Sequence, residues 1–315
     1  MPRPVAGMDA PPIVAILGPT ASGKSALALE AAEAWNAEIV TVDSAQVFRG
    51  LDIGTAKPTV EEQARVPHHL IDRVEPSTQW SAAEFQQAAD EAIRTIQGRN
   101  KTVVLCGGTG LWYRALVHGI FRAPPIDPGL RQRIRTDLET QGSRALHRRL
   151  AELDPEAAAK IAPGDPQRIG RALEVVLQTQ KPISQLQAAH GFRDVRHPVR
   201  AVALHHPRPV LWERIRTRTR AMIAAGWVDE IRALLDRGVP RDAPGLRIIG
   251  YRDMVRVAVG EKTLEAAEQD TYVATRQFAK RQANWFNQER TVHWVEAPRT
   301  VRELEDRLPP PDRPV

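Results

Sequence analysis

Apolar residues recur along this chain in two rhythms. Short, mostly apolar runs at residues 13–17 (IVAIL), 38–42 (EIVTV), 102–106 (TVVLC) and 199–205 have the length and β-branched content of strands buried on both faces. Helical spacing appears at 24–35 and again after the cap residue Ser81, and residues 69–74 read as a further strand. The first run meets Gly18 and leads into the first helix and the second run, a β–loop–α–β unit that opens a parallel sheet. From 119 to 197 strand signals vanish, and helical stretches are punctuated by Asp-Pro at 127–128, 154–155 and 165–166. That block reads as an all-helical insertion. A strand returns at 199–205, followed by a long basic helix from near Pro207, another helix over 264–287, a strand at 291–295 and a short helix to Leu308. The predicted fold is a doubly wound α/β core at 13–118 and 198–308 with a helical insertion at 119–197. A leader at 1–12 and a Pro-rich tail at 309–315 are expected to be disordered.

Composition narrows the class. At 315 residues, 42% hydrophobic and 26% charged, the chain has the make-up of a globular protein of about two domains rather than a disordered one. No run reaches 18 apolar residues, so no membrane span is expected, and the start lacks the apolar stretch of an export signal, which makes the cytoplasm the expected compartment. One cysteine, Cys106 in an apolar run, excludes an internal disulfide and a Cys-based zinc site and reads as a small buried hydrophobe. The net charge of +6, with a pI near 9.8, invites a polyanionic partner. The bases are 37 Arg and 7 Lys, a skew that coding bias alone can produce, so position has to decide.

Gly18-Pro19-Thr20-Ala21-Ser22-Gly23-Lys24-Ser25 fits G-x-x-x-x-G-K-[ST] between a strand and a helix, the context that gives the pattern meaning. Its backbone N–H groups turn toward phosphate oxygens, Lys24 adds a point charge, and the Ser25 hydroxyl suits Mg²⁺. The chain therefore binds a diphosphate or triphosphate. A P-loop kinase usually shows an apolar strand ending in an Asp that supports the metal. Here that strand ends in Gly107-Gly108-Thr109-Gly110, and the carboxylate appears instead as Asp43, followed by Ser44, Ala45 and Gln46. Asp43 is a turn cap or, beside the P-loop, a candidate general base.

These blocks together resemble the bacterial tRNA dimethylallyltransferases, also called tRNA isopentenyltransferases. GPTASGKS at 18–25, VDSAQVFRGLDIGTAKP at 42–58, PHHLID at 67–72, GGTGLW at 107–112, DPQRIGRALEV at 165–175, IIGYRDM at 248–254 and TRQFAKRQANWF at 275–286 occur in the family's order. The P-loop is shared by many families; the DSAQ and DIGTAK blocks are far more specific. The resemblance implies transfer of a dimethylallyl group from dimethylallyl diphosphate to N6 of the adenosine 3′ of the anticodon, on a P-loop NTPase-like core, with Mg²⁺ as cofactor. It implies Asp43 as base, Thr20, Thr109 and Arg218 near the diphosphate, and Ser44, Ala45 and Gln46 in the segment that reads the adenosine, Gln46 having an amide suited to a Watson–Crick edge. Contacts to the anticodon stem-loop are implied at Arg131, at Gln167, Arg168, Ile169, Gly170 and Arg171, and in the segment with Arg247, Gly250, Tyr251 and Arg252. Arg168 and Arg171 lie three apart on one helix face, where they serve a phosphate backbone or only water. Arg276, Lys280 and Arg281 form a further basic stripe, and Trp285-Phe286 beside it reads as core. A monomer is expected.

The chain departs from the family pattern at Phe48, Trp80 and Trp112, where Tyr is usual, and at Ala162-Pro-Gly-Asp165, which lacks the usual His. No C-terminal Cys/His zinc module occurs in this sequence. The adjacent pairs His68-His69 and His205-His206 point in different directions in a strand or helix and read as structural. A P-loop kinase and a non-catalytic RNA-binding protein are the competing readings.

Overall fold

Residues 11–120, 125–190 and 195–309 are described by the computed structural model. Apart from residues 11, 12 and 309, the expected leader and tail lie outside them.

Strand β1 (Ile13–Leu17) is buried along its whole length, as a strand with both faces covered must be. It leads through the P-loop into α1 (Lys24–Ala34), then β2 (Ala37–Val42), α2 (Val60–Arg65), β3 (His68–His69), α3 (Ala82–Gly98), β4 (Thr102–Gly107) and α4 (Gly110–His118). Five helices follow: α5 (Pro128–Gln141), α6 (Ser143–Leu153), α7 (Pro155–Lys160), α8 (Pro166–Thr179) and α9 (Ile183–His190). The chain ends with β5 (Val199–His205), α10 (Arg208–Ala224), α11 (Trp227–Asp236), a 3₁₀ turn at Pro244–Arg247, α12 (Tyr251–Ala258), α13 (Leu264–Phe286), β6 (Val292–Glu296) and α14 (Val301–Arg307). The six strands form one parallel sheet in the order β3-β2-β4-β1-β5-β6.

Strand alternation divides the core into two layers. Ile13, Ala15 and Leu17 join a cluster with Phe85, Ile93 and Ile96 of α3 and with Trp227 and Tyr251. Ile16, Ile39, Val104 and Val202 face the other way, onto Leu27, Ala28 and Ala31 of α1 and Leu304 of α14. This is the doubly wound α/β arrangement that the run lengths predict. Ser81 caps α3 with a capping box, accepting from Glu84 N while Glu84 accepts from Ser81 N.

The strand predicted at 69–74 is a correction. Only His68 and His69 pair in β3, because Leu70 (φ 68°) and Asp72 (φ 52°) take left-handed backbone and break the ladder. Val74 rejoins through a single parallel bridge to Phe48. Helices α2, α11 and α12 and the 3₁₀ turn go beyond what the sequence pattern predicts.

The chain divides into two compact units, one up to Val117 and from Arg196 onward, the other His118–Val195. In the second unit the Asp-Pro punctuation proves to be helix capping. Asp127, Asp154 and Asp165 accept from Leu130 N, Ala157 N and Arg168 N, each with Pro at the first helical position, where a missing N–H costs nothing. Its own core gathers Leu130, Ile134, Leu146, Leu150, Ile169 and Leu173. Among the described residues, no helix is long and apolar enough to cross a membrane.

Candidate active site

The P-loop leaves the C-terminal end of β1, the sheet edge where parallel α/β folds place ligands. Ala21 holds a left-handed backbone (φ 67°), and Ser22 N closes the turn on Pro19 O. Lys24 starts α1, is 8% exposed, and donates from Nζ to Pro19 O at 3.2 Å. Burial lowers its pKa, and nearby Asp43 opposes that shift. Ser25, one residue on, is exposed.

Two neighbouring strand ends complete the edge. Asp43 follows β2, and its Oδ1 accepts from Ala45 N at 2.8 Å, so the carboxylate caps its own turn while lining the cavity next to the P-loop. Thr109 follows β4; its Oγ1 accepts from Ser44 N at 3.1 Å and ties the two turns together. Gly107 permits this approach, since a Cβ there would lie 2.0 Å from Val42 O. Cys106, at the end of β4, is buried, and burial pushes its thiol up to about 11, so it stays neutral beside Lys24.

Two cavities share Thr20, Asp43, Thr55 and Arg218 in their walls. The smaller, about 50 Å³, holds the polar end with Lys24 and Ser25. The larger, about 300 Å³, continues into an apolar wall of Ile215, Met222, Trp227, Ile248, Ile249 and Phe278. Trp227 is wholly buried, and Gly54 leaves room for it: a Cβ there would lie 2.1 Å from the indole nitrogen. Arg218 reaches the shared wall from α10; burial lowers its pKa, and the charge of Asp43 works against that shift.

A profile of the family described as IPP transferase matches residues 46–289. The chain is 46% identical over 286 residues to a tRNA dimethylallyltransferase of Geobacter metallireducens, covering 91% of this chain and 93% of that one. It is 47% identical over 283 residues to that of Myxococcus xanthus, at 90% and 92% coverage. The chain belongs to the IPP transferase family. Its fold is similar to the crystal structure of a tRNA isopentenylpyrophosphate transferase from Bacillus halodurans, with a TM-score of 0.68, 36% identity and 94% of each chain covered. The P-loop-like α/β fold expected from the sequence is therefore borne out.

Within this IPP transferase the run of arginines on α10 separates into individual roles. Arg218 alone of the four lines both cavities. Arg214 bonds His206, Arg216 lies 4.6 Å from the Tyr272 ring centroid, and Arg220 pairs with Glu268. Arg276, from the second basic stripe, stacks 4.0 Å from the Trp212 ring centroid, so it is half-buried rather than a free cation. Phe286 is core, and Trp285 is half-buried under Arg114.

The residues carried over as RNA contacts fall into two groups. Arg131, Gln167, Arg168, Arg171 and Arg252 are exposed, and Arg247 lies on the rim of the larger cavity, paired with Asp242. Ile169 and Gly170 are buried in the insertion, Gly170 against Leu138, so they offer no surface to RNA. Tyr251 is also a correction: fully buried, it donates to Glu230 at 2.6 Å and accepts from Gly54 N. Gly250 faces the Trp227 ring. Gln46 is buried and donates to the carbonyls of Thr55 and Ala56, which commits its NH₂ to the protein and leaves only its oxygen for a base edge. Ser44 is exposed and Ala45 half-buried in the cavity wall. Where Tyr is usual, Trp112 stacks on Phe85 at 4.4 Å and Phe48 packs in the core, positions where a hydroxyl would need a buried partner.

Ser25 lies in the wall of the smaller cavity and offers a hard oxygen donor, which suits Mg²⁺. That ion usually takes one or two protein ligands and fills its shell with water and phosphate oxygens. Sequence reasoning missed Glu230 and Gln282. Glu230 accepts from Asp52 N and Ile53 N and so holds the DIGTAK segment, while Gln282 bridges two site loops; each bond spans more than a hundred residues, beyond any local pattern.

Proposed function

We propose that the chain transfers the dimethylallyl group of dimethylallyl diphosphate to N6 of the adenosine 3′-adjacent to the anticodon of a tRNA. The observation that carries this reading is the meeting of a phosphate-type loop, one carboxylate and an apolar cavity at a single sheet edge. The P-loop amides, Lys24 and Arg218 hold the diphosphate, and the apolar wall takes the five-carbon tail. As the allylic C–O bond breaks, negative charge grows on the diphosphate, where fixed donors in a desolvated site act most strongly. The adenine amine forms the C–N bond and loses a proton to Asp43; diphosphate leaves. The amine's lone pair is drawn into the ring, which is why a base is needed. The Ser25 hydroxyl would hold Mg²⁺, which would neutralise leaving-group charge and leave Asp43 free to take the proton. The adenine reaches this edge only when turned out of its stack, at a cost of roughly a few kcal/mol. The exposed Gln167, Arg168 and Arg171 of α8 and Arg131 of α5 hold the stem.

The test is mass spectrometry of tRNA nucleosides after incubation with dimethylallyl diphosphate and Mg²⁺. One dimethylallyl group on an adenosine is the expected product. Phosphoryl transfer from ATP with no prenylated nucleoside would restore the kinase reading, and RNA binding with neither reaction would favour a non-catalytic binder.

A further inference from the structure

Gln282 lies near the end of α13 and is 4% exposed. Its Oε1 accepts from Thr20 N at 2.8 Å, and its Nε2 donates to Gly108 O at 3.0 Å. One side-chain amide therefore bonds the P-loop turn and the turn after β4 together. Gly108 accommodates it by having no side chain: a Cβ there would lie 2.2 Å from Nε2.

The pairing demands an acceptor at one end and a donor at the other, which a primary amide has and a carboxylate lacks. With Glu in this place, a carboxylate oxygen would face the carbonyl of Gly108, and a negative charge would enter the wall beside the anion site. The bond to Thr20 N also fixes the peptide plane on which the Thr20 side chain is mounted. Thr109 follows Gly108 directly, and its hydroxyl carries Ser44 N, next to Asp43. A line of hydrogen bonds thus runs from the P-loop through Gln282 and Thr109 to the turn that holds the carboxylate. Packing of α13 is carried by other residues, among them Tyr272, Ala279 and Phe286.

We propose that Gln282 is a positioning residue for the transfer, an amide that sets the spacing between the Thr20 and Thr109 turns around the donor's diphosphate; this rests on the diphosphate reading given above. A misplacement on the order of 1 Å around reacting groups can cost about a hundredfold in rate. The effect should fall on the donor and spare the RNA.

Q282E and Q282M keep the length of the side chain while removing the donor or the whole polar end. Single-turnover rates measured against dimethylallyl diphosphate concentration, with an anticodon stem-loop RNA as acceptor, should fall about 10- to 100-fold, with weaker donor binding and a larger loss in Q282E than in Q282M. RNA affinity should stay within about twofold of wild type even where melting is lowered by the loss of the buried hydrogen bonds. Donor affinity and rate at wild-type level in Q282E would overturn the role. Loss of RNA affinity and donor affinity together, with lowered melting in both variants, would make Gln282 a folding residue and overturn it too. Should the wild type itself fail to bind Mg²⁺-pyrophosphate in calorimetry, the diphosphate reading fails, and the role of Gln282 with it.

Discussion

Lys24 and Arg168 are both cations in the first turn of a helix that follows a Gly- or Pro-punctuated loop, yet the protein holds them in opposite ways. Lys24 is 8% exposed, bonded to its own loop and stripped of water. The Arg168 side chain is 68% exposed, with Nε 3.4 Å from Asp165. Its neighbours repeat the pattern, since Arg131 and Arg171 both pair with Glu174 on the surface of the insertion. A fixed, desolvated charge acts strongly on charge that develops beside it, whereas a solvated one is screened within about 8–10 Å at physiological salt. On the proposed function, the core suits chemistry on an anion, and the surface of the insertion suits weak, salt-dependent contacts to an extended one.

Asp43→Ala should break the core's half of this contrast most severely, with a single-turnover rate lower by ~10²–10⁴ and RNA affinity little changed. Next in size is a structural effect in the insertion. Asp154 is buried, caps α7 and accepts from Ser184 N and Oγ, and Asp154→Ala should cost about 1–3 kcal/mol in chemical denaturation. Burial pushes the Asp154 carboxyl up, but the bonds from Ser184, Ala157 and Ile183 outweigh it and hold it below the ordinary aspartate value. A depressed folded-state pKa gives stability that is present above the unfolded value of about 3.9 and lost as pH falls through the folded one. Melting of the wild type should therefore weaken below about pH 4, and Asp154→Asn should flatten that dependence. The smallest effect belongs to the surface. Arg168→Ala with Arg171→Ala should lower RNA affinity alike for all tRNA substrates and shallow the log–log salt slope by about 0.7–0.9 for each phosphate no longer neutralised. An unchanged slope would leave both as a solvated helix face.

Legibility in the sequence follows the same division. The P-loop and Asp43 could be read because strand ends and tight turns fix their backbone, and backbone needs leave fixed spacings of Gly, Lys and Asp; Thr109 was implied only by the resemblance. The Asp-Pro pairs read only as breaks between helices, and the structure shows them as caps. Residues 69–74 misled because their Leu, Ile and Val read as strand, and nothing in the sequence signals the left-handed turns at Leu70 and Asp72. Taking the α8 block as a unit placed Ile169 and Gly170 with the arginines, although helical periodicity turns those two inward. Tyr251, Glu230 and Gln282 act through bonds that only the folded chain creates.

Calorimetric titration of Mg²⁺-pyrophosphate into the wild type, Lys24→Ala, and the Arg168→Ala/Arg171→Ala pair tests most directly whether the core alone carries the anion chemistry. Binding to the wild type and to the double arginine variant should have the same affinity, and Lys24→Ala should abolish it. Retained binding in Lys24→Ala, or lost binding in the arginine pair, would contradict that division of labour.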